Sequence, residues 1–354
     1  MSKTGISVVI CTHNGEKRIV PTLEYLTNQE DDGISWELLL IDNASTDNLE
    51  RSVNRVWNSS IPVEIIAEEK IGLSYARLKG LEKAKYPYIC FVDDDNLLAP
   101  DYIKLVHAFM ESHTDAGAVG GLNLAPEHME KPFWFSRYQG NFAIGPQSKA
   151  PGKLVNHNAF LWGAGMCIRK EAWQDLLDNN FVFLMTGRTG KKLLSGEDTE
   201  ICCMLRLCGW NLYYDEQLRL VHQISSNRIN WEYLCKLKRG LGASSVYMAL
   251  YRNLLSIKFN QVPTITQPWW MEMIKDALKI ISRPFSLAAT LFGLYEGNDK
   301  IIQMHSLFGR LSMRVQLLSK FDRLKREMFN KYGHLLDDKD STRNFNKTDR
   351  RKVS

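Results

Sequence analysis

Two hydrophobic periodicities alternate over the first third of the chain. Short, continuously apolar runs rich in β-branched residues are typical of strands that are buried on both faces of a sheet. These runs occupy residues 6–10, 37–41, 63–67 and 88–92. Between them, apolar side chains recur at helical spacing, as at Ile19, Leu23 and Leu26. The alternation predicts an α/β fold in which right-handed βαβ units build a mostly parallel central sheet flanked by helices.

Polar residues follow directly after several of these apolar runs. In open parallel sheets, ligands bind beyond the carboxyl ends of the strands, where such residues gather. The polar positions are Thr12, Asn14, Asp42, Glu68 and the acidic run at 93–95. The pattern therefore predicts a ligand site along one edge of the sheet.

The rest of the chain divides into a continuation of the sheet and a helical part. Stretches at 118–124 and 211–222 are strand-like, whereas the pattern turns helical from Trp231 onward. The segment between 125 and 156 is rich in Pro, Gly and aromatic residues, which predicts a long loop. Its Trp134 and Phe135 either cover a bound ligand or pack as ordinary aromatic side chains.

Three regions are predicted from these patterns. Residues 1–225 are expected to form the ligand-binding sheet domain, and residues 226–335 a helical C-terminal extension. Residues 336–354 are polar and charged, and predict a disordered basic tail.

Charge is distributed unevenly along the chain. The 354 residues carry a net charge of +5, yet residues 300–354 alone contain 14 Lys/Arg against six Asp/Glu. A basic C-terminal part predicts contact with an anionic surface. The chain has neither a zinc-finger spacing nor an RNP-type aromatic motif, so we expect no nucleic acid partner and retain a membrane surface.

Segment hydrophobicity and cysteine content indicate the compartment. No stretch reaches the roughly 18 continuous apolar residues of a spanning helix, and the first residues lack the apolar core of a signal peptide. Several of the seven cysteines lie in apolar stretches, which indicates buried free thiols and a reducing compartment. We expect a cytoplasmic protein that contacts the inner face of the plasma membrane peripherally.

The strongest chemical signal is the run Asp93-Asp94-Asp95, directly after the apolar run at 88–92. Adjacent carboxylates repel one another unless a cation or solvent shields them. At the ligand edge of a sheet they can bind a hard divalent ion through oxygen and so neutralise a diphosphate. The alternative is a turn rich in aspartate that leads into the next helix. The position after a buried strand favours the metal.

A second acidic group, Glu197-Asp198, occurs in the sequence SGEDTE. Ser195 and Asp198 have the spacing of a helix capping box, which would account for Asp198 through helix stability alone. A carboxylate at a helix start on the ligand edge could instead take a proton from an acceptor hydroxyl. The local sequence favours neither reading.

Two further positions carry candidate chemistry. Gly72 permits a tight turn into a helix whose first turns contain Arg77, a cation that could pair with phosphate. The alternative for Arg77 is a solvated helix face. His222 ends the strand-like stretch at 211–222 and is either a structural histidine or a metal ligand.

Six motifs occur together in one order: ISVVICTHN, LLLIDNASTD, EKIGLSYARLKGLEKA, YICFVDDDN, SGEDTE and LVHQ. As an ordered set over residues 5–225, they resemble the family-2 glycosyltransferases, which have the nucleotide-binding GT-A fold. The resemblance implies an inverting transferase that moves one sugar from a nucleotide-diphosphate sugar, with UDP the first choice, to an acceptor hydroxyl. It also implies a Mn²⁺ or Mg²⁺ cofactor and a role in surface polysaccharide or glycolipid biosynthesis, with a saccharide or lipid-linked saccharide acceptor.

The resemblance also implies roles for single residues. The donor nucleotide would contact the first-strand loop, the base-binding aspartate, the helix-opening motif and the first two acids of the DDD run. These residues are Thr12, Asn14, Glu16, Asp42, Gly72, Arg77, Asp93 and Asp94. The metal would be held by Asp95, Asp93 and His222. Asp198 would be the catalytic base, with Glu197 beside it near the acceptor.

Some features depart from the family pattern or favour other functions. The first loop reads CTHN where many members have a proline and an aromatic residue, which leaves the stacking contact to the base open. The chain has neither the QxxRW motif nor the spanning helices of a processive member, so single-sugar addition is expected. The alternatives are a non-catalytic GT-A-like binding protein in glycan assembly and a sugar nucleotidyltransferase.

Overall fold

The computed structural model describes residues 4–185, 196–263, 265–293 and 295–336. In these residues the predicted apolar runs form strands of one nine-stranded sheet. The strands are β1 (Gly5–Thr12), β2 (Ser35–Asn43), β3 (Val63–Glu68), β4 (Tyr88–Asp93), β5 (Asn96–Leu98), β6 (Ala116–Leu124), β7 (Gly152–Lys153), β8 (Cys167–Arg169) and β9 (Asn211–His222).

Helices flank this sheet and continue beyond it. Those packed around the sheet are α1 (Ile19–Thr27), α2 (Leu49–Val56), α3 (Leu73–Lys83), α4 (Tyr102–Ser112), α5 (Phe135–Tyr138), α6 (Lys170–Asp178) and α7 (Glu197–Leu207). The helical C-terminal region contains α8 (Trp231–Lys258), α9 (Trp269–Ile281), α10 (Pro284–Leu291), α11 (Asp299–Gln316) and α12 (Phe321–Tyr332). The mixed α/β architecture with a C-terminal helical part is therefore confirmed.

The longer strands of the sheet pair in parallel. Its order is β3-β2-β1-β4-β8-β6-β9-β5, with β7 paired to β9. Strands β3, β2, β1 and β4 run parallel, as predicted, whereas β8 pairs antiparallel with both β4 and β6. The predicted mostly parallel sheet is confirmed, and its antiparallel pairings all involve β5, β7 or β8, which are too short to show a hydrophobic period.

Strand β1 shows why the apolar runs are continuous. Val8 and Ile10 pack in one core with α1 and α4, while Val9 packs on the opposite face against α3. Helix α3 approaches very closely there, because a Cβ atom on Gly80 would lie 2.3 Å from a methyl of Val9. A strand covered on both faces is mostly apolar, and the one polar side chain of this run, Ser7, is buried and donates a hydrogen bond to Glu37.

The core extends from the sheet into the C-terminal helices. Leu205 of α7 and Tyr251 of α8 belong to the same buried cluster as Phe321 of α12. Among the described residues, no helix combines the length and the hydrophobicity that a membrane span requires. The predicted tail beyond residue 336 lies outside the described residues.

The aromatic segment at 125–156 packs inward. Trp134 and Phe135 are almost completely buried, in a cluster with Ile224 and Leu234 of the region that leads into and opens α8. Both side chains therefore pack as ordinary aromatic residues, and neither is placed to stack on a sugar ring.

Candidate active site

A cavity of about 700 Å³ opens at the carboxyl ends of β1 and β4. The acidic run at 93–95 lines it, together with Glu197 and Asp198 at the start of α7, Arg77 from α3 and His222 from the end of β9. The cavity lies where ligands bind in open α/β sheets. The two acidic groups that the sequence places 100 residues apart thus face one space.

Asp94 is bound within the protein. Its Oδ2 atom accepts a hydrogen bond from the Thr12 hydroxyl at 2.5 Å, and Arg18 donates to both carboxylate oxygens at 3.2 and 2.8 Å. Burial raises the pKa of Asp94, while Arg18 and Thr12 oppose that shift. The contacts tie the loop after β1 to the end of β4, which indicates that Asp94 shapes the site.

Asp95 lies at the other side of the run and faces His222. Strand β5 pairs Asn96 with His222, and this register brings Asp95 Oδ1 within 3.4 Å of His222 Nε2. Arg228 approaches the second oxygen of Asp95 at 3.6 Å. Burial alone would raise the pKa of Asp95, but the hydrogen bond and charge of His222 and the charge of Arg228 outweigh it, so the pKa is lowered. Asp95 is therefore an anion inside the cavity.

The residues around Asp95 fit a divalent metal ion. A carboxylate oxygen and an imidazole nitrogen 3.4 Å apart suit two ligands of one Mn²⁺ or Mg²⁺ ion, which are roughly 3 Å apart in an octahedral shell. Within the described chain, no cluster of three or more His, Cys, Asp or Glu side chains has ligand spacing. Two protein ligands leave the other positions to phosphate oxygens and water, as is usual for Mg²⁺.

Arg77 is a buried cation between the two acidic groups. Its guanidinium lies 5.4 Å from the centre of the Phe91 ring and directly beside Gly163, where a Cβ atom would lie 2.1 Å from it. Burial alone would lower the pKa of Arg77, but the charges of Glu197, Asp93 and Asp198 raise it. Arg77 therefore stays charged, and the alternative of a solvated helix face is wrong.

Helix α7 presents Asp198 and Glu197 at its start. Asp198 accepts hydrogen bonds from the backbone amides of Gly163 at 3.1 Å and Thr199 at 2.7 Å. Burial, followed by the charge of Glu197, raises the pKa of Asp198. The N-cap of α7 is Gly196, whose amide donates to Glu197 at 2.9 Å. Ser195 of the proposed capping box lies outside the described residues.

Asp93 is the last residue of β4 and is half-buried. It lies in the same cavity as the candidate metal ligands and the candidate base. Burial raises the pKa of Asp93, while the charge of Arg77 opposes the shift. The structure thus brings Arg77, Asp93, Asp95, Asp198 and His222 to one cavity.

The remaining predicted donor residues lie just outside the cavity wall. Asn14 Oδ1 accepts from the Thr46 amide at 2.8 Å, and Glu16 Oε2 accepts from the Asn48 amide at 3.3 Å. Asp42 accepts from the amide of Ser45 at 3.1 Å. These contacts fasten the loops after β1 and β2 to each other. Gly72 opens α3 with a φ of 143°, a backbone conformation that only glycine adopts easily.

Two polar residues that sequence analysis missed hold the site together. Asn43 donates to the carbonyls of Glu68 and Lys70 and accepts from the Gly72 amide at 2.8 Å, so it joins the end of β2 to the loop between β3 and α3. Glu200 is fully buried in α7. Its position in the SGEDTE motif, one helical turn after Gly196, was the only signal in the sequence.

Comparison with known proteins identifies similar glycosyltransferases. Residues 7–177 match the family model described as Glycosyl transferase family 2. A glucosyl-dolichyl phosphate glucuronosyltransferase of Haloferax volcanii is 24% identical over 234 residues, which are 65% of this chain and 72% of that protein. The poly(ribitol-phosphate) beta-N-acetylglucosaminyltransferase TarS of Staphylococcus aureus is 28% identical over 108 residues, 30% of this chain and only 19% of that one.

A crystal structure of S. aureus TarS 1-349 is 14% identical, covers 89% of this chain and 92% of that chain, and has a TM-score of 0.49. Because this score is below 0.5, the assignment rests on the family model and the sequence relatives. The chain is an enzyme of the glycosyltransferase class. The match of residues 7–177 to glycosyl transferase family 2 confirms the resemblance seen in the ordered motifs.

Proposed function

We propose that this protein transfers a single sugar from a nucleotide-diphosphate sugar to an acceptor hydroxyl with inversion at the anomeric carbon. A UDP-sugar is the proposed donor, and a saccharide or lipid-linked saccharide the proposed acceptor. The observation that supports the proposal most is the position of Arg77, whose pKa is raised by Glu197, Asp93 and Asp198. One buried cation thus lies between the proposed donor acids and the proposed base.

On the donor side, Asp95 and His222 would hold Mn²⁺ or Mg²⁺, with Asp93 beside them. A bound ion of this kind neutralises charge on a departing diphosphate. Arg77, which is itself buried, stabilises the same developing charge from the side of α3. Thr12, Asn14, Glu16, Asp42, Gly72 and Asp94 form or fasten the loops on which the nucleoside would lie.

On the acceptor side, Asp198 takes the proton of the attacking hydroxyl. The hydroxyl oxygen forms a bond to the anomeric carbon while the bond from that carbon to the diphosphate breaks, so the proton ends on Asp198 and the electron pair on the leaving group. The amide of Gly163 orients the carboxylate of Asp198 by its 3.1 Å hydrogen bond. Because attack and departure occur on opposite faces, the configuration inverts.

Helix α8 forms the wall that would receive the acceptor. Side chains at helical spacing line the cavity there, from Leu237 through Leu241 and Ser245 to Met248 and Arg252. Apolar and hydroxyl groups side by side suit a sugar attached to a lipid. The name of the Haloferax relative includes a dolichyl phosphate, which supports a lipid-linked acceptor in surface glycan or glycolipid biosynthesis. A cytoplasmic location with peripheral membrane contact is part of the proposal.

The proposal is tested by release of nucleoside diphosphate from a panel of sugar nucleotides, with manganese or magnesium and then with chelator. We expect slow hydrolysis of one donor, lost on chelation and in Asp95→Ala. Release of no nucleoside diphosphate from any donor, with no metal-dependent thermal stabilisation by UDP, GDP or dTDP, would overturn the donor site. That result would favour the non-catalytic binding protein.

A further inference from the structure

Helix α9 has a second apolar face that no described residue covers. Its inner face is buried through Trp269 and Ile280. Its outer face carries exposed large apolar side chains at a spacing of four, four and three residues. These are Trp270, Ile274, Leu278 and Ile281. Positions with this spacing lie on one side of a helix, so α9 is apolar on two sides.

The outer apolar surface continues along α10. Phe285 is 90% exposed, and Leu291, Phe292 and Tyr295 are exposed beside it. Phe133, 80% exposed, lies against Gly297 just after α10. We call the eight side chains from Trp270 to Tyr295 the apolar face. A continuous exposed surface of this kind usually marks an interaction site.

Positive charge surrounds the apolar face. Lys279 and Arg283 are exposed next to it. The acids on the same stretch are neutralised: Asp276 is buried in ion pairs with Arg310 at 2.6 Å and Arg314 at 2.8 Å. Glu272 pairs with Lys275 at 2.9 Å and contacts Arg314 at 3.6 Å. The outward charge along α9 is therefore positive, whereas the exposed Glu296 lies at the other end of the apolar face, beside Tyr295.

We propose that the apolar face docks the enzyme on an anionic lipid bilayer. Aromatic and aliphatic side chains on an amphipathic helix enter the headgroup boundary of a bilayer, and basic side chains beside them attract anionic lipids. A second copy of the chain would carry the same positive charges beside its own apolar face, so the two faces would repel each other. The lipid surface is the occupant that complements both the apolar and the charged part.

A single segment links the apolar face to the cavity. Just after α10, Glu296 accepts a hydrogen bond from Trp134 Nε1 at 2.5 Å, and Asp299 accepts from Tyr138. The residues that follow, at 140–143, line the cavity. Docking would therefore hold the bilayer near the part of the cavity wall that this segment forms, which suits transfer to a lipid-linked acceptor. The inference rests on that proposed function.

The test is co-sedimentation of the full chain with vesicles of phosphatidylcholine alone and of phosphatidylcholine mixed with phosphatidylglycerol. We expect binding to the mixed vesicles only. The variant Phe285→Ser/Phe292→Ser should lose binding at least roughly tenfold. Lys279→Gln/Arg283→Gln should weaken it about fivefold per charge. The matched control is Tyr25→Ser/Val155→Ser, which changes two exposed apolar residues elsewhere and should bind as wild type.

Several outcomes would overturn the docking surface. Full binding by Phe285→Ser/Phe292→Ser would assign the binding to another part, such as the chain beyond residue 336, which carries six Lys/Arg. No vesicle binding by wild type, or dimers in light scattering that these substitutions dissociate, would also exclude it. Donor hydrolysis without vesicles is measured on the same samples. Retained hydrolysis with no vesicle binding would reject the docking surface and leave the transferase intact.

Discussion

The Oδ1 atom of Asp95 lies 3.4 Å from Nε2 of His222, although the two residues are far apart in sequence. The antiparallel pairing of β5 with β9 produces this contact by placing Asn96 opposite His222. The other ring nitrogen, His222 Nδ1, is buried with no hydrogen-bond partner among the described residues. A rigid pair of strands thus presents one oxygen and one nitrogen donor to the cavity.

Replacing Asp95 should separate metal binding from folding. We expect Asp95→Ala to lower turnover of the donor by at least roughly 100-fold, because a charge that stabilises the leaving group is lost. Thermal unfolding with and without Mn²⁺ and UDP provides a second measurement, in which the variant should show no metal-dependent stabilisation. Stabilisation equal to that of wild type would exclude Asp95 as a ligand.

Asp94 serves as the matched control for Asp95. Its carboxylate is occupied by Thr12 and Arg18, so Asp94→Asn should lower the free energy of unfolding by about 1–3 kcal/mol. Its midpoint for activation by Mn²⁺ should stay at the wild-type value. The conservative variant Asp95→Asn should shift this midpoint. An equally large shift in Asp94→Asn would show that both acids bind the metal.

The pH profile should identify the base. Because burial and Glu197 raise the pKa of Asp198, and a base acts only when deprotonated, kcat/KM should fall as the pH drops through that raised pKa. Asp198→Asn should lower kcat by roughly 100- to 10,000-fold. Glu197→Gln removes the neighbouring negative charge, so the acidic limb of its profile should move to lower pH. An unmoved limb in Glu197→Gln would assign the titration to another group.

The parts of the fold that were predictable are those with strong, two-sided burial. Strand β4 was predicted at residues 88–92 and observed as Tyr88–Asp93, because every position of it contacts a core. Strand β8 has only three residues and carries no period, although it decides that the sheet is mixed. Pairings between short, distant strands are not encoded in any local pattern.

The same limit applies to the site. The three aspartates at 93–95 are equivalent in the sequence, yet Asp94 is bound by Arg18 while Asp95 faces His222. Nothing near residue 94 indicates Arg18, because the contact depends on how the loop after β1 folds. Chain order and residue type could predict that an acidic cluster lies at the sheet edge. They could not assign a role to each acid.

Gly163 offers a test of Arg77 that leaves the charge in place. A methyl at this position would lie 2.1 Å from a guanidinium nitrogen of Arg77, so Gly163→Ala should displace that guanidinium group. We expect kcat to fall roughly tenfold or more with little change in the melting temperature. Gly333→Ala, where the nearest atom is 3.6 Å away, should behave as wild type. Wild-type kcat in Gly163→Ala would remove Arg77 from the mechanism.

Glu200 should control stability more than chemistry. The oxygens of its carboxyl group accept hydrogen bonds from the amides of Leu184 at 2.7 Å and Met185 at 2.9 Å and from the Tyr251 hydroxyl at 3.0 Å. Glu200→Ala leaves these donors buried without an acceptor and should lower the free energy of unfolding by about 2–4 kcal/mol in urea titrations. Tyr251→Phe removes one donor only and should cost about 1 kcal/mol. Equal losses in the two variants would contradict this account.

The pH dependence of stability follows from the same carboxyl group. Burial raises the pKa of Glu200 from 4.5 to about 8. Between these values the folded protein keeps a proton that the unfolded chain has lost, so the contribution of Glu200 to the free energy of unfolding decreases as the pH rises through this window. Glu200→Gln cannot titrate and should show a flatter stability curve than wild type from pH 4.5 to about 8 in urea titrations. Parallel curves for the two proteins would show that Glu200 is ionised in the fold.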